Sequence, residues 1–124
     1  MFTRALVRPP AASFAAGLTS AALGPPELGL ALRQHAAYVT ALRECGLALT
    51  ELAPDPAFPD STFVEDTAVL VPGCAVITRP GAPSRAGETA AVRAALRPLC
   101  ARLAEIEAPG TLDGGDICAA GEHI

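Results

Sequence analysis

The residues best equipped for chemistry lie in one run, Phe58-Pro59-Asp60-Ser61-Thr62-Phe63-Val64-Glu65-Asp66, with three carboxylates within seven residues. The apolar neighbours Phe63, Val64, Val69 and Leu70 imply a partly buried setting, where a carboxylate needs a partner. A planar cation with several N–H donors fits, because guanidinium and carboxylate meet in a two-pronged fork. Pairing with the chain's own arginines and exposure to water are the alternatives. A divalent metal is weaker, since hard cations want more oxygen ligands than this run offers. The run reads as a loop entering a strand over Phe63 to Val71. Neighbours in a strand point to opposite faces. Glu65 and Asp66 therefore share a pocket only if the strand bulges or ends there.

Two further stretches carry chemistry. Ile77-Thr78-Arg79-Pro80-Gly81-Ala82-Pro83-Ser84-Arg85 puts Arg85 near a helix start, where a cation does not help the dipole. It either reaches a ligand carboxylate or faces solvent. Glu107-Ala108-Pro109-Gly110-Thr111-Leu112-Asp113-Gly114-Gly115-Asp116 sets two glycines between two aspartates, which allows close approach of another segment. An acid at such a turn could orient an imidazole; an ordinary Asp/Gly turn is the alternative. His35 falls on an apolar helix face and reads as packed and hydrogen-bonded; His123 is assigned no role. Cys45, Cys74, Cys100 and Cys118 form no close pair of the kind zinc sites show, and read as buried, reduced thiols.

The elements that must position these residues follow from periodicity and punctuation. Residues 4–8 read as a short strand and residues 9–26 as a proline-rich loop. Leu28, Leu32, His35, Val39, Leu42 and Cys45 step by three and four along one helix face, preceded by Pro25-Pro26 and ended by Gly46. Leu47 to Leu52 reads as a strand. Pro72-Gly73 should turn the strand from Phe63 into a second one, Cys74 to Arg79. Ser84 reads as the N-cap of a helix toward Cys100, with Glu88 suiting its dipole and Pro98 ending or kinking it. Leu103 to Ile106 reads as a strand, and Ile117 as the start of a last, unfinished one. The chain then reads as an α/β fragment rather than a complete domain.

Composition narrows the function. The net charge is −4, the pI is near 5.0 and there is no lysine. Nucleic-acid binding, which needs a basic face, is not expected. No long apolar run implies a membrane span, and Met1 to Pro10 does not read as a signal peptide. With few aromatics and no Trp, the core must be built from Leu, Val and Ala.

Taken together, Gly17-Leu18-Thr19-Ser20, Gln34-His35-Ala36-Ala37-Tyr38, FPDSTFVED, ITRPGAPSR and EAPGTLDGGD resemble the bacterial dimethylarginine dimethylaminohydrolase family, in its order and spacing. The resemblance implies an α/β propeller of five strand–strand–helix–strand modules around a channel (pentein-type), with residues 1–124 the N-terminal part of a single catalytic domain. It implies roles as well. Asp60 helps bind the substrate, Asp66 grips the guanidinium nitrogens and Glu65 belongs to the same cluster. Arg85 contacts the substrate's carboxylate, and Leu18 is the lid-loop residue. Asp113 orients the catalytic histidine, where some relatives carry Glu.

The chemistry implied is hydrolysis of methylated arginine to citrulline through a covalent cysteine intermediate, with no cofactor and no metal. The family's histidine and cysteine are expected beyond residue 124, so this chain is expected to be inactive alone. Its expected partner is the small-molecule substrate, with no nucleic acid and no membrane; homodimerisation is left open, and the location expected is cytoplasmic. An arginine deiminase or amidinotransferase, or a non-catalytic guanidinium-binding module, is the alternative. The Leu18 lid and the short chain before FVED favour the hydrolase.

Overall fold

A computed structural model describes residues 2–118 and Ala120, and the chain divides into two compact units, Met1–Thr62 and Phe63–Ile124. In the first, β1 (Arg4–Val7) pairs in parallel with β2 (Ala48–Glu51), Arg4 opposite Ala48 and Val7 opposite Glu51. Parallel neighbours need a long crossover, which α1 (Leu28–Glu44) supplies. Pro25-Pro26 precede α1, as expected. Glu27 is the N-cap, its carboxylate accepting the Gly29 and Leu30 N–H groups at 2.8 Å each. A negative charge there also complements the helix dipole. Gly46 follows the helix with φ +81°, the left-handed conformation that helix ends use. The inner face carries Leu28, His35, Val39 and Leu42, while Leu32 and Cys45 are exposed.

The second unit is a strand–strand–helix–strand arrangement. The hairpin β3 (Ala68–Val71) and β4 (Cys74–Ile77) pairs Ala68 with Ile77 and Val71 with Cys74. After α2 (Thr89–Leu96), β5 (Arg102–Glu105) returns parallel to β4, which is therefore central. Val92 and Leu96, one helical turn apart, join Ala75 and Ile77 in the core. Burying a side chain of the Val, Leu or Ile size contributes about 1.5–3 kcal/mol. The core is small-residue and aliphatic, as the composition required.

Four expectations are corrected. The strand from Phe63 begins only at Ala68; Val64–Thr67 is a 3-10 turn. Side-chain donors stabilise it: Thr67 Oγ1 donates to the Val64 carbonyl at 2.7 Å, and Thr78 Oγ1 to the Asp66 carbonyl at 2.6 Å. Such bonds compete with a strand ladder. The helix from Ser84 is instead a 3-10 segment, Pro83–Glu88, with Ala82 at the cap position and Pro83 in its first turn. α2 follows and stops at Leu96, ahead of Pro98, as a proline dictates. Gly114–Asp116 is a further 3-10 turn, and no strand runs through Ile117 and Cys118. The rest of that expected strand, with His123, lies outside the described residues. The four cysteines are free, but none is buried: Cys45 and Cys118 are exposed, Cys74 and Cys100 half-buried. No described helix is long and apolar enough to cross a membrane.

His35 offers a pH test. Burial lowers its pKa below the ordinary 6.5, against the opposing charge of Glu51 and a hydrogen bond to the Arg8 backbone. Just below pH 6.5 the unfolded chain then binds more protons than the folded one, so stability falls as pH drops through that window. Urea midpoints should fall between pH 7.5 and 5.5, and fall less in His35→Gln.

Candidate active site

The predicted site residues fall in both units. In the first, Asp60 is buried, and both its carboxylate oxygens accept the Leu18 backbone N–H, at 3.1 and 3.0 Å. Two residues after it, Thr62 Oγ1 donates to the Arg8 carbonyl at 2.8 Å, which ties this turn to the chain just past β1. The Leu18 side chain is exposed. A loop residue is thus tied by its backbone to a buried acid while its apolar side chain stays in solvent.

In the second unit three segments distant in sequence meet. The Val64–Thr67 turn carries Asp66, and the Pro83–Glu88 turn carries Arg85 and Glu88. In a 3-10 helix, side chains three residues apart lie one above the other, so Arg85 and Glu88 are neighbours by construction. Arg85 Nε donates to Glu88 Oε1 at 3.2 Å and Nη2 to Oε2 at 2.8 Å, a fork, while Nη1 reaches Asp66 Oδ2 at 2.7 Å. Only 1 % of the Glu88 side chain is exposed, against 12 % of Arg85 and 19 % of Asp66. Burial alone would lower the Arg85 pKa; hydrogen bonds and charge from Glu88 and Asp66 outweigh it and raise it, so the guanidinium stays charged. The three groups sum to one negative charge.

The third segment is the glycine-rich turn. The Gly115 N–H donates to Asp66 Oδ1 at 3.1 Å, and Asp113 Oδ2 accepts the Gly81 N–H at 3.0 Å. Arg79 adds a bridge to Leu112 and donates through Nη1 to the Gly110 carbonyl at 3.0 Å. A Cβ on Gly114 would collide with the Glu65 carbonyl oxygen, so only glycine lets the two turns approach so closely.

Asp66, Arg85 and the loop bearing Asp113 are therefore assembled, whereas Glu65 is exposed on the same turn. The 3-10 turn removes the strand alternation that would have set Glu65 and Asp66 on opposite faces. Sequence reasoning missed Glu88 by reading it as a helix-dipole residue; the available signal was Arg-x-x-Glu after Pro-Gly-Ala-Pro. Among the described residues, no group of three or more His, Cys, Asp and Glu could hold a metal ion.

The arrangement is one of acids and guanidinium on an α/β frame, and the comparisons with known proteins agree in kind. The chain is homologous along its length to bacterial dimethylarginine dimethylaminohydrolases. It is 47% identical over 125 residues to the N(G),N(G)-dimethylarginine dimethylaminohydrolase of Pseudomonas aeruginosa, covering 100% of this chain and 49% of that protein. It is 45% identical over 122 residues to the protein of the same name from Streptomyces coelicolor, covering 98% and 47%. The chain thus spans about half the length of these relatives. A mutant of the Pseudomonas aeruginosa enzyme, solved in complex with citrulline, superposes with a TM-score of 0.95 at 47% identity, over 98% of this chain and 48% of that one. No family model matches the chain.

The Arg85–Glu88 pair can be tested by stability. Removing one partner of a buried ion pair leaves an uncompensated charge and costs about 3–5 kcal/mol, whereas replacing both with apolar residues costs far less. Arg85→Met should lower the free energy of urea unfolding by about that amount. The double variant Arg85→Met/Glu88→Met should recover at least half of the loss.

Proposed function

We propose that this chain is the substrate-binding portion of an enzyme that hydrolyses methylated arginine, asymmetric dimethylarginine or monomethylarginine, to citrulline and the corresponding amine. The observation that carries the reading is the Asp66 carboxylate, anchored by Gly115 and already paired with a guanidinium, that of Arg85. A site that holds one guanidinium has the charge and acceptor geometry to hold another. The homology to dimethylarginine dimethylaminohydrolases supports the substrate class.

In this reading Asp66 grips the guanidinium nitrogens, with Glu65 in the same cluster. Arg85 faces the substrate's α-carboxylate. Asp60 contributes to substrate binding, and Leu18 lies on the loop that closes over the substrate. Asp113 orients the imidazole of a histidine supplied, with the nucleophilic cysteine, from outside these 124 residues. The thiolate adds to the guanidinium carbon and dimethylamine leaves with a proton from the histidine; water, deprotonated by the same histidine, then displaces the thiolate and yields citrulline. The carboxylates hold the cation in line and stabilise its charge. The fold proposed for the whole enzyme is the five-module propeller, this chain being part of its single catalytic domain. The location proposed is the cytoplasm, consistent with four free thiols.

Citrulline release tests this. The full product of the natural gene, carrying these residues, should release citrulline from asymmetric dimethylarginine, and Asp66→Ala should reduce kcat/KM by about a hundredfold or more, the scale of a lost charged contact to the reacting group. The 124-residue chain alone should release none. Arginine as the preferred substrate would point to a deiminase, and binding without turnover to a guanidinium-binding module.

A further inference from the structure

Glu88 has no role in the reading above, yet it is the most deeply buried charge in the second unit. A carboxylate with 1 % of its side chain exposed is costly to keep unless it does something for its partner. Its partner is Arg85, which meets it through both Nε and Nη2. A guanidinium prefers such a two-pronged fork with one carboxylate over a single contact. Two carboxylates compete for Arg85 here. Glu88 has the fork, and Asp66 has the single Nη1 contact at 2.7 Å.

We infer that Glu88 is a positioning residue, holding the Arg85 guanidinium in its fork so that Arg85 meets Asp66 through Nη1 alone, a single contact that a cationic ligand can displace. The geometry makes the competition direct. The 3-10 turn over Pro83–Glu88 stacks Arg85 on Glu88, three residues on, whatever Asp66 does. Asp66 is meanwhile held from the other side by the Gly115 N–H on Oδ1, which leaves it one oxygen, Oδ2, in contact with Arg85. Without the Glu88 charge, the fork would rotate toward Asp66. The arginine would then mask the acid that the substrate's guanidinium needs. Glu88 acts through Arg85 and touches neither substrate nor reacting atoms.

This inference rests on the proposed role of Asp66 in holding the substrate cation. The test uses the full-length enzyme and steady-state citrulline release from asymmetric dimethylarginine. Glu88→Gln should raise KM about tenfold, the scale of one hydrogen bond to a charged group, and by a larger factor than it lowers kcat. Glu88→Asp keeps the charge on a shorter arm and should raise KM by a smaller factor, about two- to threefold. A variant that is merely less well folded would show a lower apparent kcat at unchanged KM, and that pattern would overturn the inference. If Glu88→Gln does not fold, Glu88→Asp is read alone: a KM raised severalfold supports the inference, and an unchanged KM overturns it. Absence of citrulline release by the unsubstituted enzyme would instead defeat the reading of the substrate, and the inference with it. Release with normal KM in both variants would defeat the inference alone.

Discussion

The arrangement of the second unit depends on one buried guanidinium shared between two carboxylates. Arg85 lies between Glu88 and Asp66, and each of the three would be expensive to bury without the others. Once they are together, the backbone around them has little freedom. Glu88 must stand three residues after Arg85 on a tight turn, and Asp66 must face that turn. The Gly114-Gly115 segment must then come close enough to donate to Asp66. The excess negative charge of the trio is also what a cationic ligand would meet.

The local devices around the trio act to the same end. Thr78 donates through Oγ1 to the Asp66 carbonyl and through its N–H to the Thr67 carbonyl, which ties the end of β4 to the turn. Pro83 fixes the backbone at the first turn of the 3-10 segment, and α2 continues from it directly. Val92 and Leu96 then pin α2 to the sheet, which gives the turns a rigid base. In the first unit the logic is different. A buried acid, Asp60, holds a loop by the backbone at Leu18, and the side chain of that residue is left exposed.

The elements with strong local signals were legible in the sequence. α1 follows its apolar steps and stops before Gly46, the Pro72-Gly73 hairpin lies where its turn residues put it, and the strands around Ala48 and Arg102 were found within a residue or two. What was not legible depends on distant partners. FVEDTAVLV has the composition of a strand throughout, but its first part is bent by Thr78, twelve residues on from Asp66, and by Gly114 packing on Glu65. Ser84 looks like a cap, yet the segment starts at Pro83 with Ala82 as its cap and is tightened to three residues per turn. Glu88 was readable as a charge but not as a partner, because the pairing needs that tighter turn. The candidate acids and Arg85 are visible by type and spacing, and pairing with the chain's own arginines is one of the readings they allow; which arginine meets which acid is not.

The most direct test is a crystal structure of the full-length enzyme, with its nucleophilic cysteine replaced, bound to asymmetric dimethylarginine. The account predicts the substrate's guanidinium nitrogens within about 3 Å of the Asp66 carboxylate, with Arg85 still forked on Glu88. A ligand bound elsewhere, with the Asp66–Arg85 pair undisturbed and no contact to Asp66, would contradict it.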